Sequence, residues 1–117
     1  MTIREIRDLL DAKVLCSEEN LDTEVHSACG CDLMSDVLAY VKDQAVLLTG
    51  LVNPQVIRTA EMMDMACIVF VRSKMPTDDM LDLADKSGLV IMSCDKRLYE
   101  ACGIIYSNGL NGNAVKA

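Results

Sequence analysis

The residues of this chain best suited to chemistry lie where three apolar runs end: Thr49-Gly50 with Asn53, then Arg72-Ser73-Lys74, then Ser93 with Asp95 and Lys96. Gly50 lets backbone approach a ligand closely. Asn53-Pro54 reads as a helix start, and the first N–H groups of a helix lack intrahelical partners and can receive an anion. Arg72 and Lys74 bring positive charge into acidic surroundings. Together these residues suit a small ligand bearing a phosphate or a carboxylate. They also have a plainer use, because strand-to-helix connections draw on Gly, Asn, Ser and Asp for turn geometry alone.

The other reactive side chains form weaker patterns. Cys29-Gly30-Cys31, with His26 three residues before the first thiol, is the one thiol cluster in the sequence. A structural zinc site takes four ligands, usually with C-x₂₋₄-C spacing, and no second cysteine pair supplies the remainder. These residues therefore read as a strand end beside a turn, and no metal is expected. His26 has no Ser or Cys nucleophile in a recognisable motif to serve. Glu18-Glu19 and Asp78-Asp79 read as solvated charge and helix-dipole compensation. Of Met62, Met63 and Met65, Met63 is expected in the core, and Met62 or Met65 is a candidate oligomer contact. No G-x-x-x-x-G-K-[ST] occurs, so phosphoryl transfer lacks its phosphate cradle. We expect no catalytic residue, no cofactor and no enzymatic activity.

Composition narrows the partners. The net charge is −7, which disfavours nucleic acid, since phosphate backbones are held by clustered Lys and Arg. Aromatics are only 3% of the residues, too few for a base-stacking surface. No apolar run approaches the ~20 residues that span a bilayer, and no basic amphipathic helix suggests surface docking. The N-terminus reads as an amphipathic helix rather than a signal peptide, so a cytoplasmic protein with six reduced cysteines is expected.

The elements that must position the candidate residues are legible from hydrophobic periodicity. Residues 45–63, 66–86 and 89–105 each read as an apolar strand, a turn and an amphipathic helix. Parallel strands require crossovers, so this order predicts a three-layer α/β/α single domain with a largely parallel central sheet. Ligands of such sheets sit beyond the carboxyl ends of the strands. Thr2 and Glu5 form a capping-box pattern before a helix carrying Ile3, Ile6, Leu9 and Leu10. Val14-Leu15-Cys16 and the stretch from Val25 to Cys29 read as short strands, separated by a polar loop over 17–24. Asp32 is expected to cap a helix with Leu33, Val37 and Val41 on one side, widened by Met34 and Leu38. Asn53, Thr77 and Asp95 are expected to cap the later helices. Gly103 is expected to kink or end the last one, being about 1 kcal/mol worse than Ala in a helix. We place the domain at 1–110 and a disordered tail at 111–117.

Several segments resemble the DRTGG-domain family, whose fold is similar to the N-terminal domain of HPr kinase/phosphorylase. They are Val14-Leu15-Cys16, Leu21-Asp22 with Val25, Asp32 through Leu38, Leu47-Leu48-Thr49-Gly50, Pro54 through Ala60, and Glu100-Ala101-Cys102-Gly103. The eponymous residues are absent. Leu51-Val52 stands where the pattern expects Asp-Arg, and Val71-Arg72-Ser73 where it expects Thr-Gly-Gly. The resemblance implies a divergent stand-alone branch, similar to small proteins encoded near iron-hydrogenase and NADH-linked redox genes. It also implies a regulatory or ligand-sensing accessory domain, a homodimer, and a metabolic or redox enzyme as partner. A ligand-free interaction scaffold is the alternative.

Overall fold

A computed structural model describes residues 1–40 and 44–110, without the side chain of Tyr40. The first helix, α1 (Ile3–Leu10), is opened by the expected capping box: Thr2 Oγ1 accepts from the Glu5 N–H at 3.2 Å, and Glu5 Oε1 accepts from the Thr2 N–H at 2.9 Å. Strand β1 (Lys13–Cys16) follows, then a 3₁₀ turn at Glu18–Asn20. The 17–24 segment is not wholly polar in role, because Leu21 is buried beside α1 and anchors it. Strand β2 (Ser27–Gly30) leads to α2 (Met34–Tyr40). Three strand–helix units complete the fold: β3 (Ala45–Thr49) with α3 (Pro54–Met62), β4 (Cys67–Phe70) with α4 (Asp78–Lys86), and β5 (Val90–Ser93) with α5 (Leu98–Ser107).

The sheet order is β1-β5-β4-β3-β2, with β2 to β5 parallel and β1 antiparallel on the outer side of β5. Residues Leu47, Ile68 and Ile91 lie in register across the three central strands. Side chains alternate between two cores, as strand geometry requires. Val46, Leu48, Val69, Val90 and Met92 face α1 and α5, where Ile3, Ile6, Ala101 and Ile105 cover them. Leu47, Ile68, Phe70 and Ile91 face α2, α3 and α4, against Val37, Val56, Ile57 and Met80. With both faces covered, β3, β4 and β5 are buried at every position, which explains their continuous apolar runs. The fold is the three-layer α/β/α arrangement that periodicity predicts.

Several local expectations need correcting. The buried side of α2 is Met34 and Val37, while Leu33 and Leu38 are exposed; Val41 and the 111–117 tail lie outside the described residues. Met65 is buried, leaving Met62 as the exposed methionine of its group. Helix α5 runs through Gly103 to Ser107, because Ala101 and Ile105 are buried on either side and their packing outweighs one poor helix former. Its N-cap is Arg97, with no side-chain cap bond, so Asp95 does not cap it. Nor does Asp32 hold the cap position of α2, which starts at Met34 and so places Leu33 there; Asp32 Oδ1 is engaged by Thr49 and Gly50.

Candidate functional site

The carboxyl ends of β2, β3 and β4 meet in one small constellation. Thr49, fully buried, donates its hydroxyl to Asp32 Oδ1 at 2.8 Å, and the Gly50 N–H donates to the same oxygen at 2.8 Å. The Leu51 N–H donates to Thr49 Oγ1 at 3.1 Å, fixing the hydroxyl so that its proton points at Asp32. The Asp32 carboxyl is held below the usual carboxylate range, chiefly by the Gly50 N–H against an opposing desolvation, with help from the Thr49 hydroxyl and the Arg72 charge. The Arg72 guanidinium lies over Gly50: a Cβ there would sit 2.6 Å from Arg72 Nη2. Glycine at position 50 is thus what lets an exposed cation reach the strand end.

The turn after β4 is unusual. Arg72 and Ser73 have φ of 56° and 57°, two successive non-glycine residues in the left-handed region. Each such residue costs roughly 1–2 kcal/mol. Neighbouring backbone holds them there: the Arg72 N–H donates to Lys96 O at 2.8 Å, and the Ser73 N–H to Cys94 O at 2.8 Å. At the start of α3, Asn53 Oδ1 accepts from the Val56 N–H at 3.1 Å and Pro54 takes the first helical turn, as the sequence predicts.

The β5 end is organised differently. Ser93 donates its hydroxyl to Lys74 O at 2.8 Å, tying β5 to the β4 turn. Lys96 Nζ donates to Leu10 O at 3.0 Å and lies 3.7 Å from Asp95 Oδ1. It therefore satisfies a carbonyl at the end of α1, where a cation also complements the helix dipole. A shallow depression of about 300 Å³ lies nearby, lined by residues that include Asp11, Ser73, Ser93 and Asp95. The structure thus brings Thr49, Gly50 and Arg72 together, groups Ser73, Ser93 and Asp95 beside them, and turns Lys96 towards α1. It adds Asp32, which sequence reasoning assigned to a cap. The available signal was positional: Asp32 closely follows a short strand, and the end of any parallel strand faces the same rim.

The thiols offer no second site. All six cysteines are free. Burial pushes the Cys29 thiol up to about 11, with Cys31 and Cys102 adding to the effect, and burial likewise raises Cys16, Cys67, Cys94 and Cys102. Cys31 Sγ accepts from the Leu33 N–H at 3.3 Å, a local turn contact. Among the described residues no group of three or more His, Cys, Asp or Glu side chains is placed to hold a metal ion, and no helix is long and apolar enough to cross a membrane.

With this geometry in view, the comparison that decides the family is a match of the DRTGG domain to residues 5–107. The chain belongs to the DRTGG domain family. A similar solved structure is that of the CBS and DRTGG domains of the regulatory region of Clostridium perfringens pyrophosphatase, complexed with its activator, diadenosine tetraphosphate. The TM-score is 0.71 at 12% identity, over 89% of this chain and 45% of that one. This DRTGG domain therefore shares its fold with that region and spans less than half of it. No curated protein sequence matches the chain. The left-handed pair after β4 is built from Arg72 and Ser73, although glycine is the residue that adopts positive φ without steric penalty.

Proposed function

We propose that this DRTGG domain is a non-catalytic regulatory module. It binds a small anionic metabolite or nucleotide at the carboxyl ends of β3 and β4 and passes that state to a metabolic or redox enzyme. The observation that carries this reading is the exposed Arg72 guanidinium set over Gly50 by a strained turn, since strain of this kind collects at functional positions. Lys74 adds a second exposed cation on the same turn, and the backbone at Gly50, the α3 start at Asn53 and the Ser73 and Ser93 side of the β4 turn complete the rim. The presence of a nucleotide activator on the regulatory region of the C. perfringens pyrophosphatase supports the ligand class. We further propose a homodimer working in the cytoplasm.

A thermal-shift panel of nucleotides and organic acids tests this reading, because a ligand that binds only the native state raises its stability. One compound class should raise the melting temperature of the native sequence, and Arg72→Ala should remove most of that rise. A flat panel together with a concentration-dependent mass would instead favour the scaffold reading. One observation supports that second reading: α5 lies so close to the edge strand that a Cβ on Gly30 would collide with Cys102 Sγ. Beside that contact runs an uncharged groove of about 260 Å³, lined by Ala28, Leu48, Ile105, Tyr106 and Leu110 among others.

A further inference from the structure

We infer that Asp32 is a resident competitor for the anion position at the end of β3, so that a phosphate-bearing ligand enters only by displacing it. The inference rests on the ligand-sensing reading of the same rim and says what that ligand must carry. Two donors, the Thr49 hydroxyl and the Gly50 N–H, converge on Asp32 Oδ1, each at 2.8 Å. The Gly50 N–H bond has the spacing of a charge-assisted hydrogen bond, and the Thr49 bond that of an ordinary hydroxyl donor. The Arg72 guanidinium over Gly50 supplies a cation beside them. A hydroxyl, a backbone amide and a guanidinium gathered at one point make an anion receptor, and here the protein's own carboxylate fills it. Asp32 can leave, since it is exposed and sits on the short connection between β2 and α2 rather than in an element.

Tethering decides the ligand class. A group held by its own chain acts at an effective concentration on the order of millimolar. A free monocarboxylate would exchange one carboxylate for another against that concentration and gain nothing. A phosphate group brings a second charge and further oxygens, and so takes up Arg72 while it occupies the two donors. The site as built therefore selects phosphate-bearing ligands over simple carboxylic acids.

The test is titration of ¹⁵N-labelled full-length chain with inorganic phosphate and, separately, acetate, following the Gly50 amide resonance. Asp32→Ala should bind phosphate at least tenfold more tightly than the native sequence and should respond to acetate, which the native sequence does not. Adding Arg72→Ala to Asp32→Ala should remove the phosphate gain. Asp85→Ala, which deletes an exposed charge in the last turn of α4 and touches neither donor, should produce no gain. Equal phosphate affinity in Asp32→Ala and the native sequence overturns the inference, as does an equal gain in Asp85→Ala. If Asp32→Ala fails to fold, Asp32→Asn keeps the acceptor oxygen and removes the charge. Its Gly50 amide should then shift at lower phosphate concentration, and an unchanged titration overturns the inference. Failure here is distinguishable from failure of the sensing reading: nucleotide binding that needs Arg72 and ignores Asp32 would retain the sensor and discard the competitor.

Discussion

The two halves of the strand-end rim use similar side chains for different ends. At β2, β3 and β4, a hydroxyl and an amide converge on one charged oxygen beside an exposed guanidinium. At β5, a hydroxyl and an ammonium are both given to backbone carbonyls, Ser93 to Lys74 O and Lys96 to Leu10 O. The first half ends in an exposed carboxylate and an exposed guanidinium, with the Thr49 hydroxyl buried behind them. The second half satisfies helix and turn ends that would otherwise go unpaired. Residue type therefore says little about role on this rim, and the partner atom says most of it.

Substitutions can break or sharpen that contrast. The largest effect is expected from Thr49→Val, which removes a buried donor to Asp32 and the acceptor of the Leu51 N–H. Chemical denaturation should show a loss of about 2–3 kcal/mol, and the Asp32 carboxyl should titrate closer to the ordinary range. Lys96→Met should lower stability by about 1–2 kcal/mol through the freed Leu10 carbonyl while leaving phosphate affinity unchanged. A drop in affinity would mean that the two halves act as one site. Ser73→Gly should stabilise the chain by about 1 kcal/mol by relieving a left-handed residue, with Arg72 still in place. The smallest effect concerns pH. The Asp32 carboxyl lies below its ordinary value in the folded protein, so its contribution is present above the unfolded pKa of about 3.9 and is lost as pH falls through the folded one. Asp32→Asn should accordingly flatten the acid limb of a stability–pH curve, and an unchanged limb would show that the carboxylate gains nothing from its donors.

Much of the fold was legible because it rests on local rules. Buried parallel strands need uninterrupted apolar runs, and Thr2, Asn53 and Thr77 each accept the backbone N–H that their position predicts. Thr49, Gly50 and Arg72 were also readable as neighbours once the strands were taken as parallel. The role of Asp32 was not, because an aspartate just before a helix reads as a cap, and only the pairing of β2 with β3 turns its carboxylate to Thr49 and Gly50. Lys96 reads as a rim cation until α1 is known to end against the connection between β5 and α5. The same limit explains Leu21, whose burial follows from the packing of α1, and the exposure of Leu33 before α2 and of Leu38 on it.

The place of the amino-terminal segment has a kinetic consequence. Strand β1 completes its ladder only on β5, and α1 ends against a lysine far along the chain. A ribosome releases these residues well before the β5 strand and the Lys96 turn that they meet. Such distant pairing slows folding, since chain closure must come before any contact rewards it. The earlier segment must wait for the later one before its ladder can close.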